Sequence, residues 1–163
     1  MSVVILLDAS SIIALSKIGF LDKFCHLCEV EGWTPIITRQ VSVEIGDAAK
    51  GSRLERLSKV LEVSIDEAFR QTLDELGEGE LSVLVAAISH PNPEATVVIL
   101  DDSLARKNAR SLGLPVWGTL RILKIALDHG HITQSEWSRL IDKMRATGFW
   151  FDDKVLRELL HSV

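Results

Sequence analysis

The stretch VVILLD at residues 3–8 and the stretch TVVILDD at residues 96–102 decide the fold of this chain. Each is a continuous apolar, β-rich run that ends in aspartate, the pattern of a strand covered on both faces. Shorter strand patterns follow at Thr34–Ile37, Val60–Ile65 and Pro115–Trp117, and helical patterns separate them. This alternation predicts βαβ units, so we expect a three-layer α/β/α fold with a mostly parallel central sheet.

Capping residues predict where several helices begin. Ser10 or Ser11 is the expected N-cap of the first helix, and Thr38 that of a helix with inward Val41, Ile45 and Ala48. Thr133 and Glu136 form a capping box, and Asp152 is expected to cap the last helix. We therefore expect an α/β domain over residues 1–130 and a helical extension over residues 131–163 that packs on it.

Composition fits one globular domain. The 163 residues are 47% hydrophobic and carry a net charge of −5, which argues against DNA binding through the whole surface. The apolar run Val3–Leu7 has no basic flank and stops at Asp8, so it is not read as a signal peptide, and no stretch predicts a membrane span. With two cysteines only, the sequence predicts a cytoplasmic protein.

Acidic residues follow the two decisive strands. Asp8 comes directly after the first, and Asp101 and Asp102 come directly after the second. Active sites of open α/β sheets lie beyond the carboxyl ends of strands, so helix-borne Glu44 and Glu80 are candidates to join them. Each acid also has a plainer interpretation: the aspartates as turn formers or N-caps, Glu80 as a favourable charge in a first helical turn, and Glu44 as an exposed side chain.

If these carboxylates converge, they predict a cation site. Oxygen donors without histidine or cysteine suit Mg²⁺ or Mn²⁺ better than Zn²⁺. Two carboxylates about 5 Å apart repel each other by roughly 3 kcal/mol at an effective dielectric constant of 20, and a bound cation would relieve this repulsion. Metal ions held in this way activate water in phosphodiester cleavage.

Four segments, taken in order, resemble the PIN-domain nucleases, a family that includes the VapC-type ribonuclease toxins of prokaryotic toxin–antitoxin pairs. The segments are LLDASSIIALSKIG, RQVSVEI, LGEGELSVLVAA and VVILDDSLARKNARSLGLPVWGT. The resemblance implies that Asp8, Glu44, Glu80 and Asp101 are the catalytic, metal-binding acids. It implies supporting roles for the Ser10 and Thr119 hydroxyls, and Asp102 is expected to cap a helix or to support the site.

The chain departs from the common family pattern in three places. The third acid is Glu80, where many members have aspartate, and Leu104 stands where many have phenylalanine. The two C-terminal helices exceed the minimal domain and resemble a branch of prokaryotic PIN proteins with the segments that begin here at Gly118 and Gly148.

The sequence therefore predicts an endoribonuclease that depends on Mg²⁺ or Mn²⁺ and that is the toxin of a pair restrained by an antitoxin protein. One alternative is the same fold as a catalytically weak module that binds RNA or a protein. Another is a phosphotransfer receiver or phosphatase, which the late position of Asp101 and Asp102 in the chain disfavours.

Three further groups have a functional and a plain interpretation. Arg106, Lys107 and Arg110 follow the late strand and either bind RNA phosphates or form a solvated surface. The pair at Cys25 and Cys28 has metal-site spacing but no second cluster, which favours core packing. The aromatic run that includes Trp150 and Phe151 has two interpretations. It is either the interface of a homo-oligomer, which we expect to be a dimer, or part of the core.

Overall fold

The structure, a computed structural model, describes residues 2–149, 151 and 153–161. Within these residues the strands are β1 (Val3–Leu7), β2 (Trp33–Thr38), β3 (Lys59–Leu61), β4 (Thr96–Ile99) and β5 (Val116–Trp117). The α-helices there are α1 (Ala9–Lys17), α2 (Leu21–Glu31), α3 (Arg39–Glu44), α4 (Arg53–Leu57), α5 (Glu67–Thr72), α6 (Glu78–Ile88), α7 (Ser103–Ser111), α8 (Thr119–Asp128), α9 (Gln134–Ala146) and α10 (Asp153–His161).

The described strands form one parallel sheet in the order β3-β2-β1-β4-β5. The chain builds outward from β1 to β3, then returns to β4 on the other side of β1. The order therefore reverses between β1 and β4, the position where open α/β sheets bind their ligands. Leu7 pairs with Ile99, so Asp8 and Asp101 leave neighbouring strands at the same edge.

Burial explains why the sheet lies between helices. Ile5, Leu6 and Leu7 are each at most 1% exposed, and every residue of β4 is buried. Successive side chains of a strand point to opposite faces, so consecutive burial requires cover on both faces. The predicted three-layer α/β/α fold with a parallel central sheet is confirmed.

Several predicted boundaries are wrong. Asp8, rather than Ser10 or Ser11, caps α1, because its side chain accepts a hydrogen bond from the Ser11 amide. Helix α3 ends at Glu44, before the predicted inward residues Ile45 and Ala48, since Gly46 in the left-handed region turns the chain away. The strand predicted around Val60–Ile65 is shorter and begins one residue earlier, as β3 (Lys59–Leu61).

Thr38 joins the two helices that carry the candidate glutamates. As predicted, it caps α3, accepting from the Val41 amide at 3.1 Å, and its Oγ1 lies 2.7 Å from Ser82 Oγ on α6. The Ser82 hydroxyl donates to the Gly79 carbonyl, so Thr38 must donate to Ser82. Both hydroxyl side chains are fully buried, and α3 and α6 are held together through them.

The C-terminal helices pack on α8. The capping box of Thr133 and Glu136 is present as predicted, and α9 buries Trp137 and Met144. Both α9 and α10 contact α8. Asp152, the predicted cap of α10, lies outside the described residues.

Cys25 and Cys28 are buried on α2, so their predicted core packing is confirmed. Burial raises the pKa of Cys25 to about 11 and raises that of Cys28 further above its ordinary value. Both thiols therefore stay protonated at neutral pH. Among the described helices, none is both long enough and apolar enough to span a membrane.

Thr38→Val should destabilise the protein by about 1–3 kcal/mol, because the buried Val41 amide loses its acceptor and the Ser82 oxygen loses the hydrogen bond that it accepts from Thr38. Thr34→Val, at an exposed position of the same strand, should cost less than about 0.5 kcal/mol. Urea denaturation measures both values. Equal losses in the two variants would contradict the proposed link between α3 and α6.

Candidate metal centre

Asp8 is a buried carboxyl group at the carboxyl end of β1. Its side chain is 2% exposed, and Oδ1 accepts a hydrogen bond from the Ser11 amide at 2.8 Å. Burial raises the pKa of Asp8 from 3.8 to about 7; the charges of Asp101 and Glu80 add to the increase, and the hydrogen bonds from Ser11 oppose it. Without a nearby cation, the ionised form of Asp8 is thus unfavourable at neutral pH.

Asp101 lies beside Asp8 and is held at the N-terminus of α8. Its Oδ1 accepts from the Thr119 amide at 2.8 Å, and its Oδ2 accepts from the Thr119 hydroxyl at 2.5 Å. The Ser11 hydroxyl donates to the same Oδ2 at 3.2 Å. These donors and the positive end of the helix dipole stabilise a carboxylate here and fix its orientation.

The close packing around Asp101 leaves little room for a side chain at position 118. A Cβ atom there would lie 3.0 Å from Asp101 Oδ1 and 2.6 Å from Arg106 Nη1. Gly118 therefore allows the start of α8 to approach the carboxylate closely.

Glu80 lies in the first turn of α6 and is partly buried. Its Oε2 is buried and has no hydrogen-bond partner among the described residues. Burial is the largest cause that raises the pKa of Glu80, and the negative charges of Asp102 and Glu44 raise it further. A buried carboxylate oxygen without a donor is costly, and a cation is a partner that removes this cost.

Glu44 ends α3 and is exposed to solvent, yet its carboxylate contacts α6. Its Oε1 accepts from the Gly79 amide at 2.9 Å, so the carboxylate lies at the N-terminus of the helix that carries Glu80. A Cβ atom at position 79 would lie 2.7 Å from Glu44 Cδ, so a side chain there would displace the Glu44 carboxylate. Gly79 therefore permits the contact that brings the two glutamates together.

The donor set fits a hard divalent cation such as Mg²⁺ or Mn²⁺. Asp8, Glu80 and Asp101 offer only carboxylate oxygens, and Glu80 Oε2 has no other partner. The four predicted acids all lie within the described residues. No three of them place their ligand oxygens within 4.8 Å of one another. This open arrangement suits a cation that keeps several waters and uses one or two carboxylates directly.

The predicted supporting residues have different positions. Thr119 contacts Asp101 as described above, while Ser10 is exposed on α1 and Ser11 supplies the hydroxyl that reaches Asp101. Asp102 caps α7, as expected, by accepting from the Ala105 amide at 2.8 Å. The charge of Asp102 still raises the pKa of Glu80, so Asp102 contributes to the electrostatics of the site.

A groove of about 440 Å³ opens beside Asp101 and Asp102. Of the three predicted RNA-binding residues, Arg106 lines this groove, and its Nη1 donates to the Leu100 carbonyl at 3.0 Å. Burial lowers the pKa of Arg106, and the charge of Arg110 adds to this effect. Lys107 and Arg110 are exposed on α7.

The far wall of the groove comes from the C-terminal extension. Phe149 and Phe151 lie 6.0 Å apart between ring centroids, and both line the groove together with Val155 and Leu159 of α10. Phe151 also lies under the Arg145 guanidinium, 5.0 Å from its ring centroid. Trp150, the other residue of the predicted aromatic interface, lies outside the described residues.

The family model DUF3368, described as a PIN domain, matches residues 4–163. The chain belongs to the PIN domain family. No curated protein and no solved structure matches it. The match includes the C-terminal extension, so Phe149, Phe151 and the helix α10 that border the groove lie within the matched PIN domain.

Two further residues of the candidate site are not predicted from the sequence. The sequence predicts Ser11 only as a possible helix cap, although its hydroxyl donates to Asp101, 90 residues away. Arg121 is not among the predicted RNA-binding residues, yet it is exposed and lines the groove beside Arg106. Its position two residues after Thr119, in the first turn of α8, is the signal that could have identified it.

The raised pKa of Asp8 predicts a dependence of stability on pH in metal-free buffer. Folded Asp8 keeps its proton up to about pH 7, whereas the unfolded chain releases it near pH 4, so the folded state binds more protons in between. This contribution to stability is therefore present below pH 4 and is lost as pH rises to 7. Asp8→Asn has no such proton and should be about 2–4 kcal/mol more stable than the natural protein at pH 7.5.

Urea denaturation in EDTA at several pH values between 4 and 8 tests this expectation. Asp142→Asn, at an exposed position of α9, is the matched control and should follow the natural protein. Parallel curves for the natural protein and Asp8→Asn would contradict the assignment of a proton to Asp8.

Proposed function

We propose that this PIN domain is an endoribonuclease that cleaves RNA phosphodiesters with Mg²⁺ or Mn²⁺ held by its carboxylates. One observation carries the proposal: Asp8, with a pKa raised to about 7, lies beside Asp101 at the strand-order reversal, with the unpartnered Glu80 oxygen nearby. Such a cluster is unfavourable alone and becomes favourable with a divalent cation. The membership in the PIN domain family supports a nuclease in general.

Each of the four acidic residues has a distinct role in this proposal. Asp8 and Glu80 would bind the cation, and Asp8 would release its proton when the cation binds. Asp101 is already oriented by Thr119 and Ser11 and needs no rearrangement to act as a ligand. The cation would supply Lewis acidity, activating water and neutralising charge on the phosphate. Glu44 would act at the edge of the site, through water.

Single-stranded RNA is the substrate class that the groove supports. Arg106 and Arg121 line it on the side of the acids and would bind phosphates on either side of the scissile bond. Phe149 and Phe151 offer aromatic faces on which unpaired bases stack. Recognition through Arg106 and Arg121 is local, so it does not require a positive net charge on the whole chain, which carries −5.

We further propose the toxin role, in which an antitoxin protein covers the groove until the nuclease is released. Exposed apolar side chains on α10, Val155 at 44% and Leu160 at 42%, support association with a protein through this helix. A homodimer formed through the C-terminal extension stays a second proposal for the same surface.

A binding module without strong catalysis is the second candidate function. It is favoured by the open spacing of the acids and by the bond from the Gly79 amide to Glu44. In that case the natural protein would bind single-stranded RNA in the presence of Mn²⁺ without cleaving it.

Asp101→Asn should lower Mn²⁺-dependent RNA cleavage by more than about 100-fold, because the variant loses a charge that contacts the cation. Asp102→Asn should keep cleavage within about tenfold of the natural protein, because asparagine also caps helices well. The measurement is cleavage of a fluorescent single-stranded RNA by the two purified variants. RNA binding, measured by fluorescence anisotropy, should persist in both.

The pair of variants also tests the alternatives. An active Asp101→Asn beside an inactive Asp102→Asn would contradict the assignment of Asp101 as the site residue. RNA binding by the natural protein with no cleavage would support the binding module instead.

A further inference from the structure

Glu31, His129 and His131 form a second cluster, distinct from the acidic residues of the PIN domain site. His129 Nδ1 lies 2.6 Å from Glu31 Oε1, and His131 Nε2 lies 3.2 Å from the same oxygen. In the part of the chain that the structure describes, this is the one group of three histidine, cysteine or acidic side chains whose ligand atoms all lie within 4.8 Å.

The fold holds these three side chains on well-anchored elements. Glu31 is the last residue of α2, and His129 is the C-cap of α8. Gly130, with a φ of 76°, reverses the chain, and the His131 amide donates to the Ala126 carbonyl at 2.8 Å. Ile132, 4% exposed, anchors the turn in the core just before α9 begins. The backbone therefore presents both imidazoles to Glu31 without any rearrangement of an element.

The geometry is close to that of a transition-metal site. In a tetrahedral site with metal–ligand bonds of about 2.0–2.1 Å, two ligand atoms lie about 3.3 Å apart. The separations of 2.6 and 3.2 Å between the histidine nitrogens and Glu31 Oε1 need to open only slightly to admit an ion. Two imidazole nitrogens and one carboxylate oxygen favour Zn²⁺ and similar ions over Mg²⁺.

The cluster is also accessible. The side chains of Glu31, His131 and His129 are 20%, 22% and 49% exposed, so an ion can enter and water can complete its coordination. The ring of His26, also on α2, lies edge-on to His131 at 6.4 Å between centroids and adds a further imidazole at the rim.

We propose that Glu31, His129 and His131 bind a Zn²⁺-class transition-metal ion that links the end of α2 to the turn between α8 and α9. The ion joins an early helix of the chain to the start of the C-terminal extension. Its effect is on stability, and the proposal does not depend on nuclease activity.

The test uses untagged full-length protein that has been treated with EDTA and then freed of it. Zn²⁺ binding is measured by calorimetry and by thermal unfolding, and Co²⁺ binding by its visible absorption. Zn²⁺ at about 100 times its dissociation constant should raise the melting temperature by about 5 °C or more, and Mg²⁺ should not reproduce this shift at the same concentration. His131→Ala should weaken Zn²⁺ binding by at least tenfold.

Three further variants make the outcome decisive. His161→Ala removes an exposed histidine from α10 and should leave Zn²⁺ binding unchanged, as should Asp101→Asn. Glu31→Gln keeps a hydrogen-bond acceptor for both histidines, so it should fold while losing the Co²⁺ absorption. It stands in for His131→Ala if that variant does not fold.

Two results would overturn the proposal. If the EDTA-treated natural protein shows no Zn²⁺ response, the cluster is a hydrogen-bonded contact and nothing more. If Asp101→Asn loses the Zn²⁺ response while Glu31→Gln and His131→Ala keep it, the ion binds at the acidic site instead.

Discussion

The burial of acidic side chains where β1 and β4 end, above all that of Asp8, is the main energetic cost that this structure has to offset. The helices around the site offset it with their positive N-terminal ends. Asp8 caps α1, Asp102 caps α7, and the carboxylate of Asp101 lies at the start of α8. Glu44 accepts from the first turn of α6, the same turn that carries Glu80. Four helix N-termini therefore face the acids, each supplying amide hydrogens and a partial positive charge.

That compensation is incomplete. The pKa values of Asp8 and Glu80 stay raised, chiefly by burial, and one Glu80 oxygen has no donor. The helix N-termini thus offset only part of the cost of burying these two carboxyl groups. The buried carboxyl groups at this edge of the sheet lower the stability of the folded protein, and a bound cation would restore that stability. Such a cation could also polarise a phosphate group.

Local patterns in the sequence were enough to predict the parallel sheet and the acids at its edge. The apolar runs before Asp8 and Asp101 require burial on both faces, and the alternation of side chains along a strand separates Asp101 from Asp102. Contacts between distant segments were beyond that reasoning. The bond from Ser11 to Asp101 joins positions 90 residues apart, and the groove wall of Phe149 and Phe151 depends on how α9 and α10 pack on α8.

Gly79 and Gly118 show the same limit. In the sequence they look like ordinary glycines near the starts of helices, whereas in the structure each leaves space for a carboxylate. Their role depends on which side chain arrives from elsewhere in the chain. The cluster of Glu31 with His129 and His131 was missed for the same reason, since its histidines are separated from Glu31 by 98 and 100 residues.

Anomalous diffraction at the manganese edge, from crystals soaked in Mn²⁺, would show directly whether these carboxylates bind a divalent cation. We expect a manganese peak in contact with Asp8 and Asp101 and within reach of the open Glu80 oxygen, at the edge of the sheet between β1 and β4. A peak confined to Glu31, His129 and His131, or no peak at all, would contradict the view that these carboxylates form the metal centre.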